Sequence, residues 1–166
     1  MVRKIAYMGI LTGLAISLGW LERLIPLQTA VPGVKLGISN IVTLITLYLF
    51  GGGYAFAITG IRVLLTGVLY GGVSGMIYGL SGGFLSCAVM IALFKTKKPT
   101  VIGISTAGGV FHNLGQLVIA AVVVNNAGMF YYLPVLIVSG AVAGLVTGVC
   151  AYFVILSLKK LSTVKS

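Results

Sequence analysis

The sequence predicts an all-α fold, a polytopic membrane protein with a six-transmembrane-helix bundle. Of the 166 residues, 59% are hydrophobic and only 7% are charged, whereas a soluble domain carries about 25% charged residues. The mean hydropathy is +1.18. Because so few charged side chains cannot cover a water-facing surface, we expect a single integral membrane domain over residues 1–166.

The first three predicted spans are apolar runs bounded by charge, proline or glycine. Arg3 and Lys4 precede the first run, which lacks a small-residue cleavage site and is therefore expected to be retained. The second run is shorter than the about 20 residues of a typical span, and the glycines 51–53 predict a tight turn after it. The three spans are expected at Ile5–Leu21, Leu36–Phe50 and Tyr54–Tyr70.

The last three predicted spans are longer and end at clear signals. A basic run at 95–98 followed by Pro99 ends the fourth, the pair Asn125-Asn126 ends the fifth, and Lys159-Lys160 ends the sixth. These spans are expected at Gly72–Phe94, Val101–Val124 and Tyr131–Leu158.

The basic residues predict the orientation. Six spans put both termini on one side, and only Arg23 and Lys35 fall on the other side. Because cytoplasmic loops are enriched in Lys and Arg, we expect both termini in the cytoplasm and the chain in the cell membrane. The residues on the terminal side are Arg3, Lys4, Lys95, Lys97, Lys98, Lys159, Lys160 and Lys165.

The scarcity of acidic residues excludes several chemistries. Glu22 is the only acid, and the chain has one His and no Asp. Paired carboxylates, carboxylate-held Mg²⁺ and Asp-oriented triads are therefore not expected. No metal or cofactor is predicted, because Cys87 and Cys150 lack ligand spacing. The chain contains no GxxxxGK[ST] loop, so any ATP is used by a partner, and nucleic acid is not expected as a partner.

Glycines recur at four-residue spacing, which places them on one face of a helix. Two interpretations are open, namely helix packing within the chain and docking of a membrane partner. On the first span Gly9, Gly13 and Ser17 form a stripe of small residues that is the candidate docking face. The longer ladders are Gly71, Gly75, Gly79, Gly83 and Gly140, Gly144, Gly148.

Polar side chains at membrane depth mark candidate binding residues, because they are costly without a partner. Arg62 lies in the third span, where it either locks the structure through Glu22 or backbone carbonyls, or contacts an anionic or polar ligand. In the fifth span His112 and Gln116 share a face next to Asn113. These three residues either bond neighbouring helices or form a binding face.

The segment from Glu22 to Lys35 is the longest predicted loop. It is semi-apolar, whereas a disordered linker would be more polar. We expect it to fold back over the outer mouth of the bundle. Tyr131 and Tyr132 lie at the same end, either as a ligand wall or as an interfacial aromatic belt.

Five sequence elements resemble the Gx transporter family, which is also labelled heptaprenyl diphosphate synthase component I. They are Glu22-Arg23-x-x-Pro26, Pro32-Gly33-x-Lys35-Leu36-Gly37-x-x-Asn40, Arg62, Ser81-Gly82-Gly83 and His112-Asn113-x-Gly115-Gln116. The family in turn is similar to S components of energy-coupling factor transporters. Those six-helix membrane proteins capture vitamins or related molecules outside and pass them inward with a transmembrane coupling subunit driven by ATPase subunits.

The resemblance implies roles for particular residues. The loop with Glu22, Arg23, Pro32 and Gly33 would be the gate, and Gly9 and Gly13 would stand in the docking face in place of the usual Ala-x-x-x-Ala. Substrate-binding residues are expected to be Lys35, Asn40, Arg62, Ser81, His112, Asn113 and Gln116.

The predicted function is capture of a small polar or anionic molecule, related to a vitamin, quinone or isoprenoid, from the outer side. The alternative is a non-catalytic membrane subunit that assists prenyl diphosphate or quinone synthesis, or a redox complex. Prenyl-chain elongation binds diphosphates through Mg²⁺ on Asp-rich motifs, and a chain without Asp is not expected to be that catalytic subunit.

Overall fold

The computed structural model describes residues 2–24 and 37–163, and all regular structure in these two ranges is helical. The predicted all-α fold is therefore confirmed. A π-helical turn at Gly67–Gly71 and a 3-10 helix at Ala127–Tyr132 accompany the α-helical segments. These segments are α1 Val2–Arg23, α2 Asn40–Phe50, α3 Gly52–Thr66, α4 Gly72–Thr96, α5 Val101–Val124 and α6 Leu133–Thr163.

Four stretches of the described chain are long and apolar enough to cross a membrane. One of them is the 45-residue stretch Gly52–Thr96, in which α3, the π-helical turn and α4 follow one another without a gap. When this stretch is counted as one helix and the 11-residue α2 is added to the four stretches, the described residues contain five helices. The predicted count of six is therefore not confirmed. α2 begins at Asn40 rather than at Leu36.

The chain folds back on itself at Gly72, whose φ of +65° lies in the left-handed region that glycine adopts without a Cβ penalty. Residues on the two sides of this point meet in antiparallel order. Phe56 stacks on Phe84 with ring centroids 4.6 Å apart, and a Cβ added to Gly79 would lie 2.8 Å from a methyl group of Val63. α3 and α4 therefore pack as a helical hairpin.

α2 occupies the middle of the bundle, where it contacts α1, α3, α4 and α6. Its residues 42–47 are all buried, as expected of a mostly apolar helix that other helices enclose. The core around α2 draws on α3, α4, α5 and α6, and its members are Leu44, Ile45, Leu47, Ala55, Cys87, Met90, Ile104, Ala151 and Ile155.

Glycines permit the close approach of α5 and α6. A Cβ on Gly109 would overlap the carbonyl oxygen of Gly140, and a Cβ on Gly144 would lie 2.6 Å from the carbonyl oxygen of Ser105. The two backbones therefore meet directly, as small residues allow in membrane bundles. Packing within the chain is confirmed for the ladder formed by Gly140, Gly144 and Gly148.

Local signals fix both ends of α5. The Thr100 hydroxyl accepts a hydrogen bond from the Gly103 N–H at 3.1 Å and so caps the first turn. Asn125 ends the helix in the left-handed conformation, with φ +51°. The helix covers Val101–Val124, as the sequence predicts.

Candidate functional site

A cavity of about 100 Å³ lies above the first turn of α2, and α1, α3, α4 and α5 also contribute to its wall. This volume is below the roughly 300–1,000 Å³ of pockets for drug-sized ligands, so it suits a small group or one end of a larger molecule. The polar members of the wall are Glu22, Arg23, Ser39, Asn40, Arg62, Thr66, Tyr70 and His112.

Glu22 joins the end of α1 to the head of α2. Its two carboxylate oxygens accept hydrogen bonds from the Gly37 N–H at 2.6 Å and the Ile38 N–H at 3.1 Å. Gly37 has φ +68°, a left-handed conformation suited to glycine. Glu22 is 7% exposed, so its charge is held inside the protein by backbone donors.

Arg62 lies on α3 and its side chain contacts Ser39 and Asn40, the two residues that follow Ile38. Its Nη1 donates to the Ser39 hydroxyl, and its Nη2 donates to the Asn40 Oδ1 at 3.4 Å. Among the described residues its Nε has no hydrogen-bond partner. Arg62 is 7% exposed, and no ion pair joins it to Glu22.

Arg23 fastens α1 to the α3–α4 hairpin. Its Nη1 donates to the Tyr70 carbonyl oxygen at 2.7 Å, and its guanidinium carbon lies 4.5 Å from the centre of the Tyr70 ring. The Tyr70 hydroxyl in turn donates to the Ile16 carbonyl oxygen at 3.2 Å. Arg23 is exposed, so Arg62 is the buried one of the two guanidinium groups in the described part of the cavity wall.

His112 and Asn40 line the cavity and also a smaller one of about 10 Å³ between α5 and α6. Of these two cavities, Asn113 lines the smaller one, and it donates through Nδ2 to the Leu136 carbonyl oxygen at 2.8 Å and to the Ser139 hydroxyl at 3.4 Å. Asn113 thus links α5 to α6 through hydrogen bonds in this structure.

Two further predicted binding residues line neither cavity. Ser81 donates to the Tyr78 carbonyl oxygen at 3.0 Å. Gln116 is buried beside Gly82, where a Cβ on the glycine would lie 2.8 Å from its Cγ. The structure therefore groups Arg62, Asn40 and His112 at one cavity and places Asn113, Ser81 and Gln116 elsewhere.

Three residues with predicted roles lie outside the described residues. They are Lys35 at the substrate and Pro32 and Gly33 in the gate. The other two gate residues, Glu22 and Arg23, are described as the contacts above. Ser39 and Tyr70 both line the cavity, although neither is among the binding residues predicted from the sequence. Ser39 had a signal in its position directly before Asn40, within the motif that carries the family resemblance.

The predicted docking residues Gly9 and Gly13 lie on the outside of α1. Both are exposed, and a Cβ added to either would meet nothing within 4 Å. Unlike the glycines between α5 and α6, these two have no packing role within the described chain.

Within residues 2–24 and 37–163 no three His, Cys, Asp or Glu residues lie close enough to hold a metal ion. Cys87 is buried and Cys150 exposed, and both are free thiols. The donor set of the cavity consists of guanidinium, amide, hydroxyl and backbone N–H groups, which recognise oxyanions.

The family model described as Heptaprenyl diphosphate synthase component I matches residues 11–154. No curated protein matches the chain. The matched range contains α2 to α5 and every described residue that lines the cavity.

Proposed function

The chain belongs to the heptaprenyl diphosphate synthase component I family, and we propose that it is a non-catalytic membrane subunit that binds a small anionic molecule. The observation that carries the proposal is the burial and hydrogen bonding of Arg62. Arg62 is 7% exposed, lines the cavity and donates to neutral partners, and among the described residues its buried Nε has no hydrogen-bond partner.

An anion in the cavity would compensate a charge that is otherwise costly to bury. The cavity wall carries two guanidinium groups against one carboxylate, so it has an excess of one positive charge. The N-terminus of α2 adds the positive end of a helix dipole. Arg62 would meet the anionic end of the ligand, and Asn40 and His112 would orient it.

We propose six membrane crossings, with the α3–α4 hairpin counted as two and the short α2 as one. The antiparallel contacts between Phe56 and Phe84 and between Val63 and Gly79 support this count. The eight-to-two distribution of basic residues supports cytoplasmic termini in the cell membrane. The cavity would then lie in the outer half of one membrane domain.

We propose that the subunit works as the substrate-binding component of an energy-coupling factor type transporter. The sequence lacks a GxxxxGK[ST] loop, so a transmembrane coupling subunit and ATPase subunits would supply the energy. The exposed face around Gly9 and Gly13 supports docking of such a partner, because close helix approach in a membrane uses small residues.

A second candidate follows from the family description, which names one component of a synthase and so implies a further component. In this role the chain would assist prenyl diphosphate synthesis without catalysing it, because a chain with no Asp has no Asp-rich motif for Mg²⁺-bound diphosphate. A diphosphate is also an oxyanion, so the same cavity would serve both functions.

The test is to purify the protein in a neutral detergent and identify small molecules and proteins that copurify by mass spectrometry. A vitamin-like anion that is present with the native chain and lost from Arg62→Gln supports substrate capture. Copurification of a prenyltransferase with the native chain supports the synthase role. If Arg62→Gln retains every bound small molecule, the proposed site is wrong.

A further inference from the structure

Glu22 holds the backbone donors that an external anion would use. The Gly37 and Ile38 N–H groups are consecutive, and the left-handed Gly37 turns them toward one point, which the carboxylate occupies. Consecutive N–H groups in such a turn form an anion-binding concavity, or nest. This nest opens on the cavity of Arg62, since Gly37 and Glu22 both line it.

Glu22 does not form an ion pair with the Arg62 guanidinium. The two residues share the cavity but form no ion pair, and Nε of Arg62 is unpaired among the described residues although the side chain is more than nine-tenths buried. The carboxylate therefore occupies the backbone half of an oxyanion site and leaves the guanidinium half without a charged partner.

We infer that Glu22 is an internal occupant of the anion site, which the oxyanion of a ligand displaces from the Gly37 and Ile38 N–H groups. This inference rests on the proposed function, because it assumes that an anion binds at Arg62. Displacement exchanges one carboxylate for another oxyanion on the same two donors and adds a contact with Arg62. Glu22 thereby lowers the affinity for anions in general and favours those that can also reach the guanidinium.

The experiment measures binding of inorganic phosphate to the purified full-length chain in maltoside detergent by isothermal titration calorimetry. We expect Glu22→Gln to bind phosphate about tenfold or more tightly than the native chain, because a like charge within a few ångströms is removed. Glu22→Ala should show the same direction if Glu22→Gln folds poorly. In the double variant with Arg62→Gln the gain should disappear.

A second measurement locates the effect. Hydrogen exchange at the Gly37 and Ile38 amides should accelerate in Glu22→Ala and slow again when phosphate is added, because the anion replaces the carboxylate. The matched control is Thr100→Ala, which removes a helix cap outside the cavity and should leave phosphate affinity unchanged.

The outcomes separate the two proposals. Unchanged or weaker phosphate binding by Glu22→Gln, with binding still dependent on Arg62, overturns the displacement and makes Glu22 a structural cap. Failure of the native chain and of both Glu22 variants to bind phosphate overturns the anion site itself. Repeating the titration in phosphatidylcholine nanodiscs with phosphatidylglycerol distinguishes the source of the oxyanion. If phosphatidylglycerol weakens phosphate binding, the result supports displacement of Glu22 by a lipid headgroup. If phosphate binding is unchanged, the result supports displacement by a soluble molecule.

Discussion

Glu22 and Arg62 hold neighbouring residues at the head of α2 without forming an ion pair with each other. Glu22 accepts from the backbone at residues 37–38, and Arg62 donates to the side chains of Ser39 and Asn40. The single acid of the chain is thus used on backbone groups. The guanidinium keeps its charge available at the cavity, which gives the first prediction.

Replacing Arg62 by Gln is expected to weaken binding of the copurified ligand by roughly 10–100-fold, the effect of losing a charged hydrogen bond of about 1.5–3 kcal/mol. Arg62→Lys should restore binding poorly if the ligand is held by two N–H groups, because an ammonium group cannot present a planar pair of donors. Equilibrium dialysis with the labelled ligand measures both variants.

The same variants test whether Arg62 only locks α3 to α2. A lock would lower the thermal unfolding temperature in detergent and leave ligand affinity intact. That result would contradict the binding role, because Ser39 and Asn40 would then be the functional partners of Arg62.

Asn113 is expected to matter for stability rather than for binding at the larger cavity. Asn113→Leu removes the donor now at 2.8 Å from the buried Leu136 carbonyl, and the net loss of one hydrogen bond costs about 0.5–1.5 kcal/mol. Thermal unfolding should show this loss, while ligand affinity should stay within about twofold of the native value. Ser139→Ala, which removes the longer Asn113 contact at 3.4 Å and the Ser139 hydroxyl's bond to the Leu136 carbonyl oxygen at 3.2 Å, is the matched control and should destabilise less.

Gly9→Leu combined with Gly13→Leu should abolish ligand uptake by cells but preserve ligand binding in detergent. A Cβ on either glycine would meet nothing within 4 Å in the described chain, so the added side chains are expected to obstruct a docked partner. Gly53→Leu, at another exposed glycine with nothing within 4 Å, should leave uptake unchanged. Loss of binding in the double variant would instead indicate that the stripe packs inside the protein.

A reporter enzyme that is active only in the cytoplasm should work when fused after Lys98 and fail when fused at Asn126. This expectation follows from six crossings with the basic residues inside. Activity at Asn126 would disprove the six-crossing topology, because α5 separates the two fusion points.

The helices were predictable where their signals are local. α5 has its predicted bounds because Thr100 caps its start and Asn125 ends it in a left-handed conformation. The start of α2 was predicted wrongly because it depends on Glu22, which holds Gly37 and Ile38 from 15 and 16 residues away. A contact between distant residues leaves no periodic pattern in the sequence.

The site was predictable only in part for the same reason. Arg62 and His112 stand out as polar residues in apolar runs, and both line the cavity. The sequence does not show how α5 is rotated against its neighbours, and this rotation turns Asn113 toward the Leu136 carbonyl on α6. Tyr70 was missed because its role depends on the hairpin that returns the chain to Arg23.

The shortness of α2 has an electrical consequence. Eleven residues extend about 16 Å at 1.5 Å per residue, roughly half of the about 30 Å hydrocarbon thickness. An anion held above Asn40 would therefore lie part of the way across the membrane potential. A unit charge that crosses the whole field changes in energy by about 2.3 kcal/mol per 100 mV. At half the depth, an interior-negative potential of 100 mV would weaken binding of a monovalent anion from outside by about fivefold to tenfold.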